Sequence, residues 1–248
     1  MKKFALIGRK LEHSYSQRWF EELFAREGLH DHSYQLVEMP TLEGLRNRVQ
    51  EEDISGFNVT VPYKQEIIAY LDEMDEAATS IGAVNCVTVE KGRLIGHNTD
   101  APAFLQTLEV FTSHPSSLTS AFILGTGGAA RAVAYALGKL GIDYTFVSRY
   151  PEQHLNAIGY DQLFTLHLSP FTLIVNATPV GMYPDITSTP LDLSTLNSQL
   201  SSIIFYDLIY NPSPTLLLQQ ASARGAKIKD GLEMLHLQAE LSWEWWHR

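Results

Sequence analysis

Short apolar runs alternate with amphipathic stretches along the chain, which predicts strands and helices at α/β spacing. Residues 4–8 read as a strand. Residues 14–27 read as a helix, with Trp19, Leu23 and Phe24 on one stripe. A second strand over 34–38 and a second helix over 42–49 follow, and the strand over 56–61 stops at Pro62. Ile67, Ile68 and Leu71 continue a helical face, and Lys91-Gly92 between two apolar runs predicts a hairpin. After Asp100 a short helix over 104–110 leads into a Ser/Thr/Pro-rich connector over 112–120. Strands are then expected over 121–125, 144–148, 173–176, 203–207 and 227–228, with helices over 129–140, 215–224 and 231–246. These later strands are short, apolar and separated by helices, as in a parallel sheet covered on both faces. Trp243, Trp245 and Trp246 extend a stripe with Leu235 and Leu241, which suits a packed terminal helix better than a membrane anchor.

A chain of 248 residues accommodates one large domain or two modest ones. With 45% hydrophobic and 19% charged residues it has an ordinary globular composition. The 18 Lys and Arg against 28 Asp and Glu leave a net charge of −10. That argues against nonspecific nucleic-acid binding but leaves room for a local anion pocket. A lone cysteine, Cys86, excludes an intramolecular disulfide and a Cys-rich zinc module. The apolar stretch after Met1–Lys3 is too short for a signal-peptide core, and no run approaches a transmembrane length. The expectation is a cytoplasmic protein without membrane or nucleic-acid partners.

The first chemical signal is Gly125-Thr126-Gly127-Gly128-Ala129-Ala130, set between an expected strand and an expected helix. Gly125 permits a tight turn, Gly127 lets a pyrophosphate approach the backbone, and Ala130 allows close helix–strand contact. The helix start then offers unpaired N–H groups to an anion. The same string also serves as a purely structural loop. About 20 residues on, NAD-binding folds place an acid for the ribose hydroxyls, whereas here the strand ends Ser148-Arg149-Tyr150. Arg149 suits a 2′-phosphate, favouring NADP over NAD, although no second base follows it closely.

Together with further segments, this turn resembles the shikimate dehydrogenase family. The matching segments are residues 8–16 with His13-Ser14-Tyr15-Ser16, Asn58-Val59-Thr60-Val61-Pro62-Tyr63-Lys64, Gly82-Ala83-Val84-Asn85 and Gly96-His97-Asn98-Thr99-Asp100. The likeness continues through Asn176-Ala177-Thr178-Pro179, Gly181-Met182 and Asp207-Leu208-Ile209-Tyr210. It closes at Gly231-Leu232-Glu233-Met234-Leu235 and Gln238-Ala239. The order is collinear over nearly the whole chain. Cys86 stands where many relatives carry threonine. The resemblance implies an α/β, two-domain architecture, with an N-terminal α/β substrate domain and a Rossmann-type NADP-binding domain. Residues 1–101 plus 232–248 would form the substrate-binding and catalytic domain, and 102–231 the dinucleotide-binding domain. The implied enzyme reversibly reduces 3-dehydroshikimate to shikimate with NADP, in aromatic amino-acid and chorismate biosynthesis, as a monomer or homodimer.

Shikimate carries one carboxylate and three ring hydroxyls, so its pocket needs donors and acceptors and no metal. Ser14 and Ser16 can bind the carboxylate at a helix start or can cap that helix. Asn58, Thr60, Asn85 and Gln238 can read ring hydroxyls or stabilise turns. Lys64 and Asp100 are the expected proton-transfer dyad, with a plain salt bridge as the alternative. Their proximity is implied by the family and not by spacing. Tyr210 is expected on the substrate. Gly125, Thr126, Gly127, Gly128, Ala129, Ser148, Arg149, Ala177, Thr178, Leu208 and Gly231 are expected on the cofactor. At Gly231 a side chain would collide with the nicotinamide, Met182 packs nearby, and His13 suits a local hydrogen bond. A quinate/shikimate dehydrogenase-like paralogue is the enzyme alternative, and a non-catalytic nucleotide-sensing binding protein the alternative of another class.

Overall fold

The computed structural model describes residues 1–12, 14–112, 115–166, 168, 170–195 and 200–247. The chain divides into two compact units, Met1–Asp100 with His236–Arg248, and Ala101–Leu235.

In the first unit, β1 (Lys2–Gly8), β2 (His32–Glu38), β3 (Ile54–Val59), β4 (Glu73–Met74), β5 (Cys86–Glu90) and β6 (Arg93–His97) form one sheet in the order β2-β1-β3-β5-β6-β4. β1 pairs in parallel with β2 and β3, whereas β5 runs antiparallel to both β3 and β6. Lys91 and Gly92 both take positive φ, 52° and 80°, as the expected tight hairpin requires. Helices α1 (Ser16–Arg26), α2 (Leu45–Glu51) and α3 (Glu76–Ile81) complete the N-terminal part. The apolar face over residues 66–70 forms a 3-10 turn and not a longer α-helix. α3 lies in a segment with no helix expected. Its signal is legible in retrospect, because the Asp75 carboxylate accepts from the Ala78 N–H at 2.6 Å ahead of an acidic first turn.

One face of this sheet packs Ala5, Ile7, Phe57, Val59, Tyr63 and Ile67, and the other holds an aromatic cluster. Trp246 stacks on Phe4 at a 4.7 Å centroid separation, and Phe20 stacks on Tyr34 at 4.2 Å. The Trp246 indole N–H donates to the Val87 carbonyl at 3.0 Å. The terminal tryptophan stripe is thus core packing. Aromatic surfaces of this size dominate burial energetics, and the indole keeps its hydrogen bond.

The second unit contains β7 (Ser120–Leu124), β8 (Tyr144–Ser148), β9 (Ala157–Gly159), β10 (Thr172–Asn176), β11 (Ile204–Asp207) and β12 (Lys227–Lys229). Its sheet is parallel throughout, in the order β9-β8-β7-β10-β11-β12. Counted from β7, that is the 3-2-1-4-5-6 order of a doubly wound dinucleotide fold. Helices α4 (Asp100–Thr112), α5 (Gly128–Lys139), α6 (Tyr160–Thr165) and α7 (Leu216–Ala223) join the strands, and α8 (Leu232–Trp246) closes the chain. β9 and α6 are elements that the apolar pattern does not reveal. The connector contains a 3-10 turn at Pro115–Ser117. Among the described residues, no helix is long and apolar enough to cross a membrane.

Candidate functional site

In the first unit, the ends of β3, β5 and β6 and the start of α4 bring Asn58, Lys64, Asn85, Thr99 and Asp100 into one network. Lys64 Nζ lies 2.6 Å from Asp100 Oδ2, with only 16% and 6% of the two side chains exposed. The other Asp100 oxygen accepts from Asn85 Nδ2 at 2.9 Å. Asp100 opens α4, where a carboxylate is favoured by the helix dipole. The Lys64 segment is bound to the Asn85 segment through the Val84 N–H, which donates to the Lys64 carbonyl at 2.7 Å. A buried pair with both partners present and hydrogen-bonded is tolerated, while a single orphaned charge is not.

Asn85 is buried. It also accepts from the Thr99 N–H at 2.7 Å and donates to Thr99 Oγ1 at 2.9 Å, with Gln238 Oε1 at 3.4 Å. Asn58 is buried too: Tyr34 donates to its Oδ1 at 2.9 Å, and its Nδ2 donates to the Asn85 carbonyl at 3.1 Å and to Ser242 Oγ at 2.8 Å. The side-chain donors of both asparagines, expected to face ring hydroxyls, are therefore bonded within the protein. Thr60 is half-buried on the loop after β3, its N–H bonded to the Ile7 carbonyl at 3.0 Å.

Ser242 is the residue that sequence reasoning missed. It is fully buried on α8, donates to the Gln238 carbonyl at 2.8 Å, accepts from Asn58 and lies 3.2 Å from Thr99 Oγ1. A serine within an amphipathic helix carries no sequence signal that separates this hub from a solvated surface position. Cys86 sits alongside. Burial pushes its thiol up to about 12, with hydrogen bonds to Ser242 and Trp246 opposing the rise, so it is a packing residue and not a nucleophile.

Ser16 begins α1, and the helix N-cap is Tyr15, without a side-chain cap. The Ser14 hydroxyl instead accepts from the Ser16 N–H at 3.2 Å, a turn bond ahead of the helix. Ser14 therefore does not occupy the N-cap, although its hydroxyl holds the N–H of the first residue of α1. Burial first, and then the neighbouring Cys86, raise the Tyr34 hydroxyl well above its usual range, while a hydrogen bond with Ser16 opposes this. His13 lies outside the described residues.

In the second unit, β7 ends at Leu124 and the chain turns at Gly125, whose φ of +98° lies in the region that favours glycine. A Cβ there would also stand 3.1 Å from the Thr178 methyl group. Thr126 follows, then Gly127, the N-cap of α5, which supplies no side-chain cap. A Cβ on Gly127 would meet no protein atom within 4 Å, so open space lies over this backbone. Gly128 and Ala129 form the first turn of α5, and Ala130 is fully buried against the sheet. Uncapped N–H groups beneath open space suit a diphosphate. The residues present thus fit a dinucleotide.

The neighbouring strand ends are built to match. The Ala177 N–H donates to the Leu124 carbonyl at 3.0 Å, joining the loop after β10 to the glycine turn. Asn176 receives both the N–H and the hydroxyl of Thr178, at 3.0 and 2.7 Å, and donates to Asp207 Oδ1 at 3.0 Å. Asp207 also accepts from the Ile209 N–H at 3.0 Å and from Thr215 at 2.7 Å. Burial raises its carboxyl to about 6, with these three hydrogen bonds opposing the rise.

Leu208 follows β11, and Tyr210 lies on the same loop, within the second unit. A Cβ on Gly231 would fall 2.1 Å from the Leu208 carbonyl oxygen. Glycine is therefore required there by the protein's own backbone, a nearer obstacle than the expected nicotinamide. Met182 is exposed. Ser148 is buried at the end of β8, its hydroxyl accepting from the Tyr150 N–H at 3.1 Å, while Arg149 is exposed.

A family model described as the shikimate dehydrogenase substrate binding domain matches residues 6–87. The shikimate dehydrogenase (NADP(+)) of Shouchella clausii is 38% identical over 260 aligned positions, covering 99% of this chain and 92% of that protein. Among solved structures, shikimate dehydrogenase 1 from Peptoclostridium difficile is similar at a TM-score of 0.89 and 34% identity, covering 100% of this chain and 92% of that one. Shikimate 5-dehydrogenase from Thermus thermophilus, solved with NADP(H) and shikimate, is similar at a TM-score of 0.83 and 34% identity, covering 99% and 93%.

Proposed function

Because the chain belongs to the shikimate dehydrogenase family, we infer that it is an NADP-dependent oxidoreductase interconverting 3-dehydroshikimate and shikimate. Residues 1–101 plus 232–248 are read as the substrate-binding and catalytic domain, and 102–231 as the dinucleotide-binding domain. The observation that carries the reading is the Lys64–Asp100 pair, 2.6 Å apart and braced by Asn85.

Bound NADP(H) supplies or accepts the hydride. Lys64, oriented by Asp100, donates a proton to the carbonyl oxygen of 3-dehydroshikimate, and the dyad takes that proton back in the reverse direction. The two groups act as one unit, with no microscopic acid assigned to either. Ser14, Ser16, Thr60, Tyr210 and Gln238 contact the substrate. Asn58 and Asn85 act chiefly by holding Asp100 and its neighbours in place. Gly125 to Ala129 hold the diphosphate, Ser148 and Arg149 the phosphorylated ribose, and Ala177, Thr178, Leu208 and Gly231 shape the cofactor edge.

An NADP-coupled assay of shikimate beside quinate tests this reading. The expected result is turnover of shikimate with a higher kcat/KM than quinate, and a higher kcat/KM with NADP than with NAD. Preferred turnover of quinate would instead favour the paralogue. Binding of NADP with no turnover of either acid would favour a nucleotide sensor.

A further inference from the structure

Asp207 is the last residue of β11 and is fully buried, and the proton-transfer steps above do not use it. Its Oδ1 accepts from the Asn176 amide and the Ile209 N–H, each at 3.0 Å, and its Oδ2 from the Thr215 hydroxyl at 2.7 Å. Among the described residues it has no ion-pair partner, and the charged group that acts on it, Asp230, has the same sign. A buried charge without a counter-ion is costly, so the fold holds here a negative charge that the protein itself does not compensate. A doubly wound sheet binds a dinucleotide across two halves, at the carboxyl ends of its strands. The glycine turn after β7 and Arg149 after β8 give the adenosine side to the β7–β9 half, which leaves the nicotinamide side to β10–β12. Asp207 ends the middle strand of that second half. It also ties together the loops at the strand ends, since Asn176 in turn holds the Thr178 N–H and hydroxyl and takes the Leu208 N–H on its carbonyl at 3.0 Å.

We propose that the Asp207 carboxylate is the counter-charge for the oxidised nicotinamide ring, strengthening the binding of NADP⁺ and leaving that of NADPH nearly untouched. The assignment rests on reading the second unit as the dinucleotide-binding domain. The oxidised ring carries a positive charge that the reduced ring lacks, while the diphosphate and the phosphorylated ribose are common to both forms. Comparing the two forms therefore isolates the charge on the ring. Burial raises the Asp207 carboxyl to about 6 against its three hydrogen bonds, so at about pH 8 the group is ionised. Asparagine at this position keeps the bonding and deletes the charge. Its oxygen still accepts from Asn176 and Ile209, and its amide donates to Thr215, whose hydroxyl oxygen accepts. Thr215→Val does the reverse, removing one bond and keeping the charge.

The test is the Kd of the full chain for NADP⁺, by calorimetry, and for NADPH, by nicotinamide fluorescence, both without substrate at about pH 8. Asp207→Asn is expected to raise the NADP⁺ Kd about three- to tenfold, the size of one charge acting on another under the screening of a protein interior. The NADPH Kd should stay at the wild-type value. Thr215→Val should keep the wild-type ratio of the two constants. Asp207→Ser, which leaves room for a water in place of the carboxylate, carries the same expectation as the asparagine variant and replaces it if that protein does not fold. Equal weakening of both forms on loss of the charge would make Asp207 a brace for the loops and overturn the proposal. No change in either form would overturn it too, as would a ratio in Thr215→Val that shifts as far as in Asp207→Asn. In each of these cases a wild type that binds both forms leaves the dinucleotide reading standing. A wild type that binds neither form refutes that reading and takes the proposal with it.

Discussion

Lys64→Ala removes one half of a pair whose Nζ–Oδ2 separation is 2.6 Å and whose carboxylate side is 6% exposed. Two effects follow, and they are measured separately. The first is chemical. Positioned general acid–base catalysis is commonly worth about 10²–10⁴ in rate, or roughly 2.7–5.5 kcal/mol of barrier. Hydride transfer should slow by a factor in that range. The second is structural. Asp100 keeps Asn85 on one oxygen but loses its cation on the other. Orphaning a buried charge costs about 3–5 kcal/mol, and because Lys64 is 16% exposed water offsets part of this, placing the loss near the lower figure. Asp100→Asn keeps the size and should also lower kcat. In the double variant the orphaned charge is gone, so stability should recover in part and the rate loss should be smaller than the product of the single losses. The assay is stopped-flow hydride transfer in a single turnover, with shikimate and NADP affinities and the melting temperature determined on the same protein. Near-wild-type transfer in folded, fully liganded Lys64→Ala would refute the reasoning, as would strictly multiplicative losses in the double variant.

Replacing both Ser14 and Ser16 by alanine should raise the shikimate KM and leave NADP affinity intact, each lost hydrogen bond to a charged group being worth about 1.5–3 kcal/mol. The Ser14 hydroxyl holds the N–H that opens α1, so a large fall in melting temperature with unchanged KM would give the pair to the helix start and contradict the assignment. Ser242→Ala strips a bonding partner from both Asn58 and Thr99. It should cost about 1–3 kcal/mol in denaturant unfolding, with NADP affinity unchanged, and a change within experimental error would dismiss the hub. Asp207 should make the fold more stable at acid pH. A carboxyl raised from 3.8 to about 6 in the folded chain binds its proton more tightly there than when unfolded, so its contribution is full below about pH 4 and is lost as pH rises through 6. Between pH 5 and 7 the loss is on the order of 1 kcal/mol. Asp207→Asn should remove that slope in a comparison with the wild type, and identical pH dependence of the two proteins would dismiss the ionisation.

The legible parts of this protein are those whose physics is local. A strand followed by Gly-Thr-Gly-Gly-Ala-Ala shows in one dimension because Gly125 must take positive φ and Ala130 must be small. β8 was expected over the same residues, Tyr144–Ser148, that form it, since its apolar run is bounded on both sides. Where the pattern is mixed, as over β9 and α6, local preference does not announce an element, and packing against β8 decides.

The family motifs carried the site residues further than spacing could, but not their bonding. Asn58 reads on paper as a ligand for a ring hydroxyl, and nothing near it says that its amide instead reaches Ser242, 184 positions away. By itself the sequence determined the kinds of element, the glycine turn and the supply of polar groups. The tertiary structure alone decided which of those groups were consumed internally and which were left for a ligand. The reason is one of range: a backbone conformation is set by neighbours in the chain, whereas a buried donor must find an acceptor within about 3 Å in space, and the fold brings that acceptor from any distance along the sequence.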